Sequence, residues 1–186
     1  MVQNKQHYSY VIYRKKVAAL AFDKEKLENE VSRMFLDEQQ EWILKHLGNI
    51  RNKKILDVGA GTGRISIPLA SAGASVTALD SSEVMLKIAK DKAKKKGIDI
   101  KFKVGDAHKL PFSDYEFDTV ISIRTLMHFV NWKKALSEIC RVSKNNVVLD
   151  FPPVLGFTLF APLYLGFKKI FKMFFNIRSC STISMN

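Results

Sequence analysis

The sequence contains few of the features that mark secreted or metal-stabilised proteins. Its 186 residues include only two cysteines, Cys140 and Cys180, which are too few for a disulfide framework and lack metal-ligand spacing. The first 14 residues are polar and lack the apolar segment of a signal peptide. We therefore expect a cytoplasmic protein without a bound metal.

Acidic residues are also scarce, and none follows Asp150. The formal net charge is +12, and most of it lies in residues 86–109, which carry net +6, and in residues 151–186, which carry net +4. A basic stripe can bind nucleic acid, but no aromatic side chains lie among the lysines of residues 87–96. A solvated helix face is the favoured interpretation, and nucleic-acid binding is not expected.

The sequence has no long uninterrupted hydrophobic run. Residues 151–167 are 17 uncharged positions, whereas a membrane-spanning helix needs about 20. Prolines and glycines interrupt this stretch at Pro152, Pro153, Gly156, Pro162 and Gly166. A hydrophobic lid, or a segment resting on a membrane surface with the following lysines, is therefore expected instead of a spanning helix.

What the sequence does contain is a regular alternation of apolar strands and amphipathic helices. Strands are predicted at residues 54–58, 75–80, 98–104, 117–123 and 146–151, and helices at 25–47, 65–72, 82–96 and 132–142. This order predicts a doubly wound α/β domain whose mainly parallel sheet has five strands. We expect one domain over residues 1–186, with a helical extension (1–50), a core (51–152) and a hydrophobic, basic tail (153–186).

A glycine cluster, Gly59-Ala60-Gly61-Thr62-Gly63, lies between the first strand and the next helix. Glycines there allow a sharp turn and a close approach of backbone to ligand, although a tight turn alone would also explain them. A dinucleotide fingerprint requires glycine or alanine where Arg64 stands. Asp57, two residues before the first glycine, suits a ligand with a cationic amino group better than a pyrophosphate.

Asp80 ends the second predicted strand, about 20 residues beyond the glycines. A carboxylate at this position commonly accepts hydrogen bonds from both hydroxyls of an adenosine ribose. An aspartate that caps the following helix is the alternative interpretation. The spacing favours ribose binding.

These motifs occur in an order that resembles the class I S-adenosylmethionine (SAM)-dependent methyltransferases. The matching segments are residues 57–63, the D-x-S-x-x-M-L pattern of 80–86, and residues 105–107, 110–112, 117–118 and 135–142. Within the class, the chain is most similar to the small-molecule group that includes quinone C-methyltransferases. The resemblance implies a Rossmann-like fold and methyl transfer from SAM to a small-molecule acceptor, and the quinone group suggests an acceptor that is apolar or quinone-like.

The resemblance also implies a role for individual residues. The methionine end of SAM would be held by Asp57 and by the backbone of Gly59, Ala60, Gly61 and Gly63. Asp80 would bind the ribose, with Ser81 in the same cofactor-binding set. Met85 would pack on the adenine, or be an ordinary core methionine; Asp106 would accept from the adenine amino group, and the Ala107 N–H would donate to the ring. Ile123 would line the methyl-donor pocket through its backbone.

The sequence indicates the catalytic residues less clearly than the cofactor-binding residues. His128 is the candidate general base for an acceptor of low acidity, but a structural histidine in the loop explains it equally simply. His108 is expected to face solvent, and Arg124 either contacts an anionic acceptor or pairs on the surface.

The tail departs from the family pattern. Family members end their sheet with an antiparallel hairpin, for which residues after Phe151 leave no room. The fifth strand, rich in Val147, Val148 and Leu149, should then be an edge that the tail and a second copy of the chain cover together. A truncated, non-catalytic cofactor-binding protein or a membrane-associated protein is the alternative function.

Overall fold

The computed structural model describes residue 21, residues 30–150 and residues 175–178 of the chain. The helices are α1 (Glu30–Leu47), α2 (Ser66–Ser71), α3 (Glu83–Lys95) and α4 (Trp132–Val142), with a 3-10 turn at Leu126–His128. The strands are β1 (Lys54–Val58), β2 (Ser75–Asp80), β3 (Lys101–Val104), β4 (Phe117–Ser122), β5 (Ser143–Asp150) and β6 (Phe175–Arg178).

The six strands form one sheet in the order β3-β2-β1-β4-β5-β6. The pairs from β3 through β5 are all parallel. The chain winds outward from β1 to β3, then crosses back to β4 beside β1. Ligands of open α/β sheets bind at such a reversal, at the carboxyl ends of the strands. The predicted doubly wound α/β class with five parallel strands is confirmed.

The sixth strand was not predicted. Phe175–Arg178 pairs antiparallel with β5, with Val147 opposite Arg178 and Asp150 opposite Phe175. Strand β5 is therefore not the edge of the sheet, which corrects the sequence expectation. Part of the tail covers this strand, as expected. Residues 151–174 and 179–186, which include the uncharged stretch of 151–167, lie outside the described residues.

Successive side chains of the central strands point to opposite faces of the sheet. Both faces are covered by buried apolar residues. Ile55 of β1 and Ile121 of β4 belong to one buried cluster, whereas Leu56 and Val120 belong to the other. All four are completely shielded from solvent. Burial on both faces therefore explains the near-continuous apolar sequence of β4, as expected for a central parallel strand.

The third strand is shorter than predicted. Only Lys101–Val104 of the predicted residues 98–104 pair as a strand, and Val104 is 54% exposed. Ile100 is buried before the strand begins. An edge strand has one neighbour and a short ladder, so apolar alternation overestimates its length.

Helix α3 begins as the sequence predicts. The Ser82 side chain accepts a hydrogen bond from the Met85 N–H and is the N-cap of the helix. Gly97, just past the last turn, has a φ of +67°, which suits the end of a helix. This helix follows β2 directly, and it therefore fixes the position of residues 80–85 at the carboxyl ends of the strands, where the site lies.

Helix α4 anchors the loop that follows β3. Arg141 donates to the carbonyl oxygens of Leu110 and Phe112 and to the carboxylates of Asp114 and Glu138. Glu138 in turn accepts from the Leu110 N–H at 2.8 Å. These bonds hold the loop against the domain and thereby help to position its first residues, 105–108, at the site.

Candidate active site

A cavity of about 880 Å³ opens at the carboxyl ends of β1, β2 and β4. Its walls come from α1, the glycine loop, the start of α3, the loop after β3 and the segment after β4. A volume in this range holds a cofactor-sized molecule. The cavity lies where the chain reverses its winding, which is where the fold predicts a ligand.

The glycine loop turns too sharply for other residues. Gly59, Gly61 and Gly63 have φ values of +76°, +55° and +81°. A side chain at Gly59 is excluded, since its Cβ would lie 2.2 Å from Cγ2 of Thr125. At Gly61 the nearest contact would be the end of the flexible Met85 side chain, 3.8 Å away. The loop therefore presents bare backbone to the cavity.

Asp80 is held firmly at the end of β2. One carboxylate oxygen accepts from the Gly61 N–H and the other from the Ser82 N–H, each at 2.8 Å. Burial raises the pKa of Asp80, although these hydrogen bonds oppose the shift. Because Ser82 is the N-cap of α3, the interpretation of Asp80 as that cap is wrong. A carboxylate has about four acceptor sites, so the backbone N–H groups leave acceptor capacity for the ribose.

Asp57 lies at the floor of the cavity and is almost completely buried. It accepts a hydrogen bond from the Ser66 hydroxyl at 2.6 Å. Burial raises the pKa of Asp57 to about 6, and the Ser66 hydrogen bond and the positive charge of Arg64 oppose this rise. A buried carboxylate that ionises with difficulty becomes easier to ionise when a cation binds next to it.

The residues expected around the adenine line the cavity, together with Ser81 of the expected cofactor-binding set. Met85 is buried, Ser81 is half-buried, and both line the cavity with Asp106 and Ala107. Ala107 is buried while Asp106 is exposed, so the pair presents both a backbone and a carboxylate to a ligand. All four residues line the cavity, and their contacts with the cofactor stay a prediction.

His108 is a site residue that the sequence analysis missed. Its Nδ1 lies 2.6 Å from the Asp106 carboxylate, and its Nε2 accepts from the Asn131 N–H at 3.3 Å. Its side chain is only 22% exposed, so the expectation that it faces solvent is wrong. Partial burial acts to raise the pKa of Asp106, but the hydrogen bonds from His108 outweigh it and the pKa is lowered. The Asp-x-His spacing was the available signal.

The segment after β4 forms the wall opposite the glycine loop. Ile123 is buried, and its carbonyl accepts from the Thr125 hydroxyl at 2.9 Å. His128 ends the 3-10 turn and is half-buried at the cavity. Its assignment as a general base stays a prediction.

A polar network joins four separate parts of the chain beside the cavity. Arg64 donates to the Gln39 side-chain oxygen at 2.6 Å, and the Gln39 amide donates to Asp150 at 3.3 Å. Asp150 also accepts from the Arg124 N–H. Burial raises the pKa of Asp150. Gln39 and Asp150 are 111 residues apart, and no local pattern indicates their contact.

The hydrogen bonds of the glycine loop distinguish between possible ligands. The N–H groups of Gly59 and Ala60 donate to the Leu79 carbonyl, that of Gly61 to Asp80, and that of Gly63 to the Ala60 carbonyl. Loops that bind a pyrophosphate direct these groups at the phosphate oxygens. Here protein acceptors occupy four of them, while Asp57, Asp80 and Asp106 line the same cavity. The site therefore fits an adenosine ligand with cationic groups and no phosphate, as SAM is.

Comparison with known proteins supports this assignment. A family model described as a methyltransferase domain matches residues 55–146. The demethylmenaquinone methyltransferase of Renibacterium salmoninarum is 42% identical over 118 residues, which cover 61% of this chain and 48% of that protein. Its counterpart from Thermus thermophilus is 40% identical over 106 residues, covering 54% and 48%. The magnesium protoporphyrin IX methyltransferase of Synechocystis PCC 6803, crystallised with bound SAM, superposes with a TM-score of 0.64 at 26% identity, covering 82% and 80%.

The chain belongs to the class I SAM-dependent methyltransferase family. It spans about half the length of the curated relatives that it matches. The methyltransferase site described above lies within the shared segment, apart from the α1 wall. SAM is thus the cofactor that this site accepts, and the residues that would hold it are those of the glycine loop, Asp80 and the Asp106–Ala107 pair.

Proposed function

We propose that this methyltransferase transfers the methyl group of SAM to a small acceptor with an apolar, quinone-like or other aromatic body. The observation that carries the proposal is an apolar surface beside the cavity. Met127, Val130 and Trp132 are 42%, 63% and 48% exposed, and all three lie within the short segment after β4. Val130 lines the cavity, and Met127 and Trp132 are its near neighbours in the sequence; exposed apolar side chains beside a cavity favour an apolar ligand. The two relatives named as demethylmenaquinone methyltransferases act on an acceptor of this kind by name.

The reaction places modest demands on the protein. SAM supplies a methyl group already activated by its sulfonium. The protein positions the two reactants. The glycine loop and Asp80 orient the adenosine end of SAM, and the wall from Ile123 to Val130 confines the acceptor. Holding two reactants in line is worth several kcal/mol, about 7–11 in the best intramolecular cases. Within this proposal His128, on that wall, removes the proton from an acceptor of low acidity.

The acceptor class can be tested with Val130→Ser. Replacing the two methyl groups by a hydroxyl removes about 1 kcal/mol of apolar contact, which corresponds to a roughly fivefold higher KM. Transfer of a radiolabelled methyl group from SAM to reduced menadione, a small hydroquinone, is the measurement. Val104→Ser is the matched control, because Val104 is similarly exposed, at 54%, but does not line the cavity.

An equal KM for the two variants would contradict an apolar acceptor at this wall. Tight binding of SAM without turnover on hydroquinones, phenols or amines would instead favour the alternative, a cofactor-binding protein without catalysis.

The composition of the tail supports contact with a membrane surface, which a lipid-like acceptor would require. The tail carries Lys168, Lys169, Lys172 and Arg178 among aromatic residues and has no acids. No helix within residues 30–150 is long and apolar enough to cross a membrane. Within this proposal the protein works in the cytoplasm, peripheral to the bilayer.

Each basic residue near an anionic surface contributes about 1 kcal/mol of attraction. We expect vesicles with anionic lipid to sediment more protein than neutral vesicles, and salt to remove the difference. A variant with the three tail lysines changed to glutamine is the control. Equal retention by both kinds of vesicle would show that the tail does not bind membranes through its charge.

A further inference from the structure

The Asp106 carboxylate has one oxygen fixed by the protein and one left open. Oδ1 accepts from the His108 backbone N–H at 2.9 Å and lies 2.6 Å from Nδ1 of the His108 ring. No hydrogen bond from the described residues reaches the other oxygen, Oδ2. Because Asp106 lines the cavity, this second oxygen is open to a ligand that donates a hydrogen bond.

The bond on the far side of the imidazole determines which ring nitrogen of His108 carries the proton. Nε2 accepts from the Asn131 N–H at 3.3 Å, so this nitrogen needs its lone pair. A neutral imidazole has a single N–H, which therefore lies on Nδ1 and points at the Asp106 carboxylate. The backbone of Asn131 thus makes the ring a donor to Asp106.

The His108 ring is also held by packing. Its side chain is only 22% exposed, and the ring meets that of Phe129 in a T-shaped contact with centroids 5.6 Å apart. Asn131 is itself fixed as the N-cap of α4, since its side chain accepts from the Lys134 N–H at 3.1 Å. The histidine is therefore a rigid link between the start of α4 and the loop after β3.

The Asp106 side chain depends on this link for its orientation. It is 58% exposed, and an exposed aspartate without a partner exchanges among its staggered rotamers. A hydrogen bond to an ionised carboxylate is shorter and stronger than one between neutral groups, and the 2.6 Å distance is of this kind. The bond from His108 therefore selects one orientation of the carboxylate before a ligand arrives.

We propose that His108 is a positioning residue, which directs the open oxygen of Asp106 at the 6-amino group of the cofactor's adenine. A carboxylate fixed in this way accepts from the amino group without first losing rotational freedom, whereas a purine without that group leaves the oxygen unpaired. His108 thus contributes, through Asp106, to the specificity for an adenosine cofactor. The proposal rests on the role predicted for Asp106 and does not depend on the methyl acceptor.

The test compares two ligands that differ only in the amino group. S-adenosylhomocysteine (SAH) carries it, whereas 6-desamino-SAH has a hydrogen in its place and keeps every ring nitrogen. We expect the native protein to bind SAH about tenfold more tightly than the analogue, because a hydrogen bond to a charged group is lost. Calorimetric titration is the measurement. Asp106→Ala should bind the two ligands equally.

Two substitutions separate the hydrogen bonds of His108 from its packing. His108→Phe keeps an aromatic ring against Phe129 but has no ring nitrogen, so the preference for SAH should fall to about threefold. Part of it remains because the backbone N–H of residue 108 still donates to Asp106. His108→Gln has a donor and an acceptor on its side chain and should restore most of the preference. A general loosening of the site would weaken both ligands and leave their ratio unchanged.

The matched control is His46→Phe, because His46 is exposed and does not line the cavity. This variant should keep the tenfold preference. An undiminished preference in His108→Phe would overturn the positioning role. So would equal ratios in His108→Phe and His108→Gln, or equal binding of the two ligands by the native protein. Absence of methyl transfer to reduced menadione contradicts only the proposed acceptor and leaves these binding results standing.

Discussion

Asp80→Ala is expected to weaken the binding of SAH by about 10- to 150-fold. The charge-assisted contact between the carboxylate and the ribose contributes about 1.5–3 kcal/mol in all, and this variant removes it. The carboxylate also accepts from the Gly61 and Ser82 N–H groups, so its loss loosens the turn that the ligand rests on. Calorimetric titration of SAH into both proteins is the measurement.

The direct contact can be separated from the loosened turn by changing the ligand. A 2′-deoxy analogue of SAH lacks one of the two ribose hydroxyls. If Asp80 binds this hydroxyl, its removal weakens binding to the native protein but changes little in Asp80→Ala, because the interaction is already lost. Asp91→Ala in α3 is the control, since Asp91 is exposed and does not line the cavity. Equal losses with the analogue in both proteins would show that Asp80 only supports the turn.

The parts of the site that depend on neighbouring residues could be predicted from the sequence. The glycines allow the positive φ values that this loop has. The apolar pattern of β2 places Asp80 at the end of the strand beside β1. The Ser82 cap contacts a residue only three positions away. In each case the residue type and the local backbone together determine the interaction.

The parts that the sequence analysis missed depend on contacts between distant residues. The bond between Gln39 and Asp150 joins α1 to β5, and nothing in either segment indicates the other. Strand β6 is only four residues long, and the partner that it pairs with, β5, ends 25 residues earlier in the chain. Arg64 was read only as the residue that breaks a dinucleotide fingerprint. That its Nη1 is buried without a hydrogen-bond partner among the described residues can be seen only from the packing around it.

The affinity for SAH is expected to rise about 100-fold between pH 4 and pH 7 through Asp57. In the unliganded protein burial raises the pKa of Asp57 to about 6, compared with 3.8 for the ordinary group. The ligand's α-ammonium, next to the carboxylate, would favour the ionised form and return the pKa toward its ordinary value. Binding then releases a proton within this pH window, and each unit of pKa shift is a tenfold change in affinity.

The unliganded protein shows the opposite dependence. Because the folded protein binds this proton more tightly than the unfolded chain does, the contribution of Asp57 to stability is complete below about pH 4. It is lost as the pH rises through about 6. Asp57→Asn keeps an oxygen acceptor for Ser66 but cannot ionise, so its stability in urea should fall less over this range than that of the native protein.

A comparison of two ligands and two proteins isolates the effect. Other carboxylates in the cavity also titrate, but they do so in Asp57→Asn as well, so the difference between the two proteins belongs to Asp57. 5′-Methylthioadenosine has no ammonium group and should bind with little dependence on Asp57 at any pH. We therefore expect a steep pH profile only for SAH with the native protein, measured by calorimetry at half-unit intervals. Parallel profiles for SAH in the native protein and in Asp57→Asn would show that the ammonium group does not bind near Asp57, and the methionine end would have to lie elsewhere in the cavity.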